Sequence, residues 1–132
     1  MCLLDRVLQW DDAAIACAAT SHTATDNPLR STGRLGIAAG IEYAAQAMAV
    51  HGALLAARQP SGGHGYLASV RDVRWQVARL DDLDAPLRVR AQRLSGNDAY
   101  VMYEFDLQAA GRTLLEGRAT VMLSAAPGFE AQ

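Results

Sequence analysis

The segment from Arg34 to Arg58, RLGIAAGIEYAAQAMAVHGALLAAR, limits the fold more than any other part of the sequence. It is the one long stretch with helical character, and it ends before Pro60, Gly62 and Gly63, residue types that stop a helix. Its composition is apolar on every side, and a helix of this kind is stable only when it is buried all round. A single sheet covers only part of a helix, so the sequence predicts that a second sheet or a partner covers the rest.

The residues before this helix predict two strands and a loop. The apolar runs CLLDRVLQW and AAIACAATSH are separated by Asp11 and Asp12, which is typical of two strands joined by a tight turn. Residues 23–34, TATDNPLRSTGR, contain Pro28 and Gly33 and are predicted to lack regular structure.

The residues after the helix change to an alternating period, which indicates strands. The runs that show it are GYLASVRDVRW, PLRVRAQRL, DAYVMYEFDL and RTLLEGRATVML, with AAG, ending at Gly111, as the turn before the last one. DAYVMYEFDL places Ala99, Val101, Tyr103, Phe105 and Leu107 on one face. This order predicts a single α+β domain over residues 1–132, with one long central helix wrapped by an antiparallel sheet of about six strands.

The composition narrows the possible functions. Hydrophobic residues make up 51% of the chain, charged residues 20%, and the net charge is −2, which predicts a soluble globular domain without nucleic acid or an anionic membrane as partner. Cys2 and Cys17 are too few for a disulfide framework, so a reducing cytoplasm is the expected compartment. Residues 35–57 are long enough for a bilayer, but alanine and glycine dominate them and Glu42 is costly in lipid, so no membrane span is expected. No metal or cofactor is expected.

Three parts of the sequence together resemble the hotdog fold: LLDRV on the first strand, GIEYAAQAMA on the helix and GYLASVRDVRW on the following strand. They look most like the 3-hydroxyacyl-(acyl-carrier-protein) dehydratases, in particular the short variety of aryl-polyene and polyketide pathways. The resemblance implies a homodimer or a hotdog heterodimer, in which a helix carboxylate of one subunit faces a histidine of the other. It also implies the reaction, removal of water from a 3-hydroxyacyl thioester on acyl carrier protein or coenzyme A.

Glu42 matches the carboxylate of that family, and its chemistry fits the role. The elimination needs a base for the proton beside the carbonyl and an acid for the departing hydroxyl. Apolar surroundings favour a protonated carboxyl, which suits Glu42 to donating the proton. The alternative is that Glu42 caps the helix or pairs with Arg34. Gln46 lies one turn further on the same face, where it either orients the carboxylate or a water, or satisfies a backbone group.

Three histidines are candidates for the base: His22, His51 and His64. His51 follows Glu42 at a spacing that places it on the opposite side of the helix, and His64 lies in a glycine-rich loop. His22 precedes the loop that leads into the helix, the region where the family keeps its base, and it is the predicted catalytic partner. The sequence departs from the family here, because DNPLRSTGR stands where the better-known dehydratases carry a His-x-Pro-Gly turn.

The start of the helix is the predicted site for the thioester carbonyl. The backbone N–H groups of Ala39 and Gly40 are the candidates to stabilise the negative charge that develops there, unless the glycines only permit close packing. Two other functions fit the same sequence. One is a non-catalytic hotdog subunit that partners an active dehydratase, and the other is a hotdog acyl thioesterase.

Overall fold

The structure is a computed structural model, and it describes residues 2–58 and 65–123. Within these ranges the regular elements are β1 (Arg6–Trp10), β2 (Ala14–Ala19), α1 (Gly40–Arg58), β3 (Gly65–Trp75), β4 (Leu87–Gly96), β5 (Tyr100–Ala109) and β6 (Arg112–Leu123). Short 3₁₀ turns lie at Ser21–Thr23 and Ile37–Ala39. The predicted order of elements is confirmed. His64 and the predicted stop signals Pro60, Gly62 and Gly63 lie outside the described residues.

All the strands join one antiparallel sheet in the order β1-β2-β4-β5-β6-β3, so β1 and β3 are its edges. The β3 edge is interrupted by register shifts between Leu67 and Ser69 and between Arg71 and Arg74. Asp72, within the second shift, has a φ of 55°, a left-handed conformation that a non-glycine residue adopts only where the surroundings hold it. The helix on this sheet confirms the predicted α+β architecture.

The helix α1 lies against the sheet through one face only. Its buried residues recur every three or four positions, which is the spacing of a single helical face. They are Gly40, Tyr43, Ala44, Ala47, Met48 and His51. An exposed stripe on the other side contains Glu42, Ala49, Gly52 and Ala53. The sequence predicts burial on every side of the helix, but within this chain only one face is buried. A cover for the exposed stripe stays a prediction. No described helix is long and apolar enough to cross a membrane.

The first turn of α1 approaches the sheet closely. A Cβ built on Gly40 would lie 2.7 Å from Leu115 Cδ2 and 3.1 Å from Leu107 Cδ2. Leu107 and Leu115 are paired on β5 and β6, and both are buried. Any side chain at position 40 would have to displace them, so glycine sets the depth at which the helix start lies.

The apolar face of β5 is confirmed for all but one of the predicted residues. Ala99 is exposed because it lies in the turn before the strand. The turn between β5 and β6 also lies where the sequence predicts it, with φ values of 51° at Ala110 and 75° at Gly111, as a tight hairpin requires. The residues of β5 that belong to the core are Val101, Tyr103, Phe105 and Leu107.

Gly117 on β6 provides a test of how tightly the core is filled. A Cβ at this position would lie 2.9 Å from the Phe105 ring and 3.1 Å from Val73. Phe105 is buried, so we expect Gly117→Ala to lower the free energy of unfolding by about 1–3 kcal/mol. Gly52 is the control, because a Cβ there meets no atom within 4 Å, and Gly52→Ala should raise the free energy of unfolding by about 0.5–1 kcal/mol. Urea denaturation measures both, and equal effects would contradict this account.

Candidate active site

Glu42 is in the first turn of α1 and lies on the exposed stripe. The 3₁₀ turn before it runs directly into the helix, since Gly40 has helical φ and ψ angles of −59° and −26°. Glu42 forms no hydrogen bond or ion pair with another described residue, so the alternative pairing with Arg34 is not found. Its side chain is open to a molecule outside the chain.

The next residue, Tyr43, points into a buried polar network that no sequence motif indicated. Its hydroxyl lies 2.7 Å from Ser21 Oγ, and Ser21 Oγ donates to the Leu3 carbonyl at 2.7 Å. Because a carbonyl oxygen only accepts, the proton between Tyr43 and Ser21 belongs to Tyr43. Asn27 Nδ2 donates to the Tyr43 hydroxyl at 3.1 Å and to the Ser21 carbonyl at 2.9 Å.

Asn27 is a buried polar residue within the loop that the sequence predicts to be irregular. Its Oδ1 accepts a hydrogen bond from Leu29 N–H at 2.9 Å, so both ends of the amide have partners. The available signal was the Asn27-Pro28 pair, which is typical of a turn. That signal predicts the backbone but does not show that the amide is buried.

His22 is also buried, with 1% of its surface exposed, in the 3₁₀ turn that begins at Ser21. Its Nε2 lies 2.9 Å from the Leu83 carbonyl and 3.1 Å from the Ala85 carbonyl, so Nε2 carries a proton. Nδ1 is buried and has no hydrogen-bond partner among the described residues. In the neutral form of the ring, these contacts place the lone pair on Nδ1.

No hydrogen bond joins Glu42 to His22 in residues 2–58 and 65–123. The structure connects them through their sequence neighbours, because Tyr43 follows Glu42, Ser21 precedes His22, and the Tyr43 and Ser21 hydroxyls are in contact. The resemblance places the carboxylate and the imidazole on different subunits, so their pairing stays a prediction.

Gln46 accepts a hydrogen bond at Oε1 from Leu3 N–H at 2.7 Å. This contact is the structural role that the sequence offered for Gln46, and it ties the start of the chain to the helix beside the Tyr43 network. A role for Gln46 toward the substrate stays a prediction.

The backbone N–H groups at the helix start are already engaged. Ala39 N–H donates to the Gly36 carbonyl at 3.0 Å, and Gly40 N–H is directed at the Ile37 carbonyl. A thioester carbonyl would have to replace these acceptors to be held there. The close packing of Gly40 agrees with the alternative hypothesis that the glycine permits close packing. Binding of the thioester carbonyl by Ala39 and Gly40 stays a prediction.

His51 is fully buried on the face of α1 opposite Glu42, as its spacing predicts. Its Nδ1 lies 2.7 Å from the Tyr103 hydroxyl, and its Nε2 lies 2.8 Å from the Asp11 carbonyl. Burial raises the pKa of Tyr103, so the phenol keeps its proton and donates it to Nδ1, while Nε2–H donates to Asp11. Both ring nitrogens are occupied, and His51 joins the helix to the sheet.

Asp81 ties the connection between β3 and β4 to the segment before the helix. Its carboxylate is 5% exposed, pairs with Arg79, and accepts a hydrogen bond from Leu35 N–H at 2.9 Å. Arg30 Nη1 lies 3.7 Å from the same carboxylate. The hydrogen bond from Arg79, together with that from Leu35 N–H, holds the pKa of Asp81 well below its usual range. The described residues include no group of three or more His, Cys, Asp or Glu side chains able to hold a metal.

Comparison with solved structures gives the class of the fold. The chain is similar to the dehydratase heterocomplex ApeI:P from Xenorhabdus doucetiae, with a TM-score of 0.80 and 23% identity over 98% of this chain and 88% of that chain. It is also similar to a mutant thioesterase from Pseudomonas aeruginosa, with a TM-score of 0.70 and 14% identity over 92% of this chain and 81% of the other. A thioesterase from Haemophilus influenzae gives 0.70 and 11% identity over 93% and 80%. The architecture is therefore that of the hotdog-fold dehydratases and thioesterases.

The sequence gives the family within this class. Residues 1–129 match the ApeP-like family, which is described as ApeP dehydratase, and the chain belongs to that family. Among curated proteins, none is similar enough in sequence to count as a match. The family confirms the predicted resemblance to hotdog dehydratases, while the low identities of the solved structures show the shared fold alone.

We expect Asp81→Asn to weaken the fold near neutral pH and to remove part of its acid sensitivity. Because the folded-state pKa of Asp81 is lowered, its stabilising effect is complete above the ordinary carboxyl value of about 4 and is lost as the pH falls toward the lowered value. From about pH 5 downward, the wild-type melting temperature should therefore fall more steeply than that of Asp81→Asn.

Asp82→Asn is the control for this measurement, because Asp82 is exposed and its nearest contact with Arg79 Nε is 3.9 Å. Its melting curve should follow the wild type across the pH range. Parallel curves for wild type and Asp81→Asn would contradict the stabilising role of the buried carboxylate.

Proposed function

We propose that this chain catalyses the removal of water from a 3-hydroxyacyl thioester as one of two hotdog chains in a cytoplasmic assembly. The substrate is carried on acyl carrier protein or coenzyme A, and the product is a trans-2-enoyl thioester of fatty-acid-like or polyene and polyketide biosynthesis. The observation that carries the proposal is the exposed carboxylate of Glu42 on the first turn of the central helix, which has no hydrogen-bond or ion-pair partner in residues 2–58 and 65–123. Membership of the ApeP-like dehydratase family supports the reaction type.

The reaction needs two proton transfers, one to a base and one from an acid. A base takes the proton from C2, beside the thioester carbonyl, and the electron pair of that C–H bond becomes the C2–C3 double bond. The C3–O bond breaks at the same time, and an acid protonates the departing hydroxyl, which leaves as water. One imidazole and one carboxyl group supply these roles without a cofactor.

Glu42 is the proposed acid. It belongs to an exposed helix stripe whose other members, Ala49, Gly52 and Ala53, are small and apolar. A second chain that covers this stripe would enclose the carboxyl group in apolar surroundings, which favour its protonated form. The substrate would then lie between the two chains, with Gln46, Ala39 and Gly40 as the proposed binding groups around it.

His22 is the proposed base, and its hydrogen bonds support this role. The carbonyls of Leu83 and Ala85 hold the proton on Nε2, which leaves the lone pair on Nδ1, the nitrogen without a partner among the described residues. Its burial is the opposing observation, because a substrate reaches Nδ1 only when the cover over the ring opens. Mutation of His22 is therefore the most informative test of its proposed role as the base.

A hotdog partner is the proposed cover for the exposed parts of the chain. Besides the helix stripe, the edge strand β3 exposes Tyr66 and Trp75, each by 60%, and its outer hydrogen-bonding groups face away from β6. An edge strand offers unpaired backbone groups with which a second chain can pair. A heterodimer is supported by the similar fold of a dehydratase heterocomplex, and a homodimer is the alternative assembly.

A non-catalytic subunit is the second candidate function, and it is favoured by the burial of both described histidines, His22 and His51. In that case the chain would stabilise an active hotdog partner and contribute no acid or base. A thioesterase is the third, favoured by the fold of the bacterial thioesterases. Mass spectrometry separates the three, because the product is an enoyl thioester, unchanged substrate or a free acid.

We expect Glu42→Gln to lower kcat for dehydration by about 100-fold or more, with little change in melting temperature because the side chain is exposed and has no partner among the described residues. The assay uses the purified chain with any hotdog chain that co-purifies, and follows the enoyl product. Glu104→Gln is the control, since Glu104 is also exposed but lies on β5 in a 4.0 Å contact with Arg118. A wild-type rate in Glu42→Gln would show that Glu42 is not the acid of the reaction.

His22→Gln should abolish most of the turnover, by about 100-fold or more, if Nδ1 takes the C2 proton. His51→Gln is the matched control, because His51 is equally buried and also bonds a backbone carbonyl through Nε2. Both variants are expected to lose about 1–3 kcal/mol of stability, but only His22→Gln should lose kcat. Full turnover in His22→Gln would show that the base comes from elsewhere.

A further inference from the structure

We propose that Tyr43 is a positioning residue whose hydroxyl sets the placement of Glu42 and His22 in the dehydration site, an inference that rests on the proposed function. The Tyr43 side chain is fully buried, and its hydroxyl is engaged by Ser21 and Asn27. Its influence therefore has to pass through the residues that it holds. Those residues lie next to both members of the proposed acid and base pair.

The physical connection consists of one hydroxyl contact and two chain neighbours. The Tyr43 hydroxyl donates to Ser21 Oγ at 2.7 Å. Tyr43 is bonded through the backbone to Glu42, and Ser21 is bonded to His22, so this contact fixes the helix start relative to the 3₁₀ turn that carries the imidazole. Asn27 Nδ2 supports the same connection, because it donates to both the Tyr43 hydroxyl and the Ser21 carbonyl.

The neighbouring groups fix which hydroxyl donates in the hydrogen bond between Tyr43 and Ser21. Ser21 Oγ uses its proton on the Leu3 carbonyl, and Asn27 Nδ2 supplies the hydrogen bond that the Tyr43 oxygen accepts. The Tyr43 proton therefore has one acceptor, Ser21 Oγ. A network in which every member has its partner holds a rigid arrangement, whereas loss of one member leaves buried polar groups without partners.

The same network explains why the irregular segments can carry precise chemistry. Between Ala19 and Gly36 the chain has only a short 3₁₀ turn and isolated bridges, so no sheet or helix ladder sets the position of Ser21 or His22. Backbone hydrogen bonds within the turn, such as that from Ala24 N–H to the Ser21 carbonyl at 3.1 Å, are supplemented by side-chain hydrogen bonds. Those that join Ser21 and Asn27 to the Tyr43 hydroxyl lead directly to the residue beside Glu42.

The experiment compares Tyr43→Phe with Tyr103→Phe, which is matched closely. Both tyrosines are buried, and each donates its hydroxyl proton to one partner, the half-buried Ser21 for Tyr43 and the buried His51 for Tyr103. A purely structural role predicts that both variants lose stability and keep kcat. Positioning predicts that kcat falls about tenfold or more in Tyr43→Phe, that KM stays within about twofold, and that Tyr103→Phe keeps the wild-type kcat.

Ser21→Ala keeps the test decisive if Tyr43→Phe folds poorly, because it removes the same hydrogen bond from the other side. Its loss of kcat should match that of Tyr43→Phe, and the double variant should lose no more than the larger single effect. Equal kcat in wild type, Tyr43→Phe and Ser21→Ala would overturn the inference. Additive losses in the double variant would overturn it as well, since they would mean separate roles.

The outcomes also separate this inference from the proposed function. If wild type produces the enoyl thioester, Glu42→Gln does not, and Tyr43→Phe behaves like Tyr103→Phe, the proposed function stands and only the positioning role is wrong. If wild type with its partner produces no enoyl thioester, or Glu42→Gln retains the rate, the proposed function fails and the positioning role fails with it.

Discussion

The first turn of the single helix is the constraint on which the other features depend. It is pressed onto β5 and β6 at Gly40, where a side chain would strike Leu107 and Leu115. Tyr43 lies on the same buried face, and its hydroxyl joins the helix start to Ser21. Glu42 lies between Gly40 and Tyr43 in the chain, and its side chain faces outward while both of these residues are buried.

Polar side chains do in the loops what backbone ladders do in the sheet. His22 bonds the carbonyls of Leu83 and Ala85, and Asp81 bonds Leu35 N–H and two arginines. The two long connections, residues 20–36 and 76–86, are thereby fastened to each other and to the start of α1. Each of these bonds is buried or nearly so, and a buried polar group that loses its partner costs more than a surface bond gains.

The sequence predicts the elements because their periods are local. The alternation in β5 and the apolar run of α1 are each visible in a short segment of the sequence. Both elements are confirmed by the structure. The polar contacts are different, since His22 reaches Leu83 and Asp81 reaches Leu35 across large separations in the chain. Nothing in the composition of either loop indicates which distant carbonyl or amide it will meet.

The sequence likewise predicts only part of the candidate site. The motif GIEYAAQAMA identifies the carboxylate, and the helical spacing places His51 on the other side of the helix. The network of Tyr43, Ser21 and Asn27 gave no sequence signal, because hydroxyl and amide residues are common in turns whether or not they become buried. The proposed second chain would complete the surroundings of Glu42, and the sequence of this chain does not identify the residues that the other would contribute.

The two interruptions of β3 bear on how such chains avoid uncontrolled association. A long straight edge offers its amides and carbonyls to any extended segment, and that is how sheets grow into fibres. Here the register is broken near Ala68 and again at Asp72, whose left-handed backbone turns the following residues off the line of the strand. A neighbouring strand that pairs along the whole of this edge has to accommodate both irregularities.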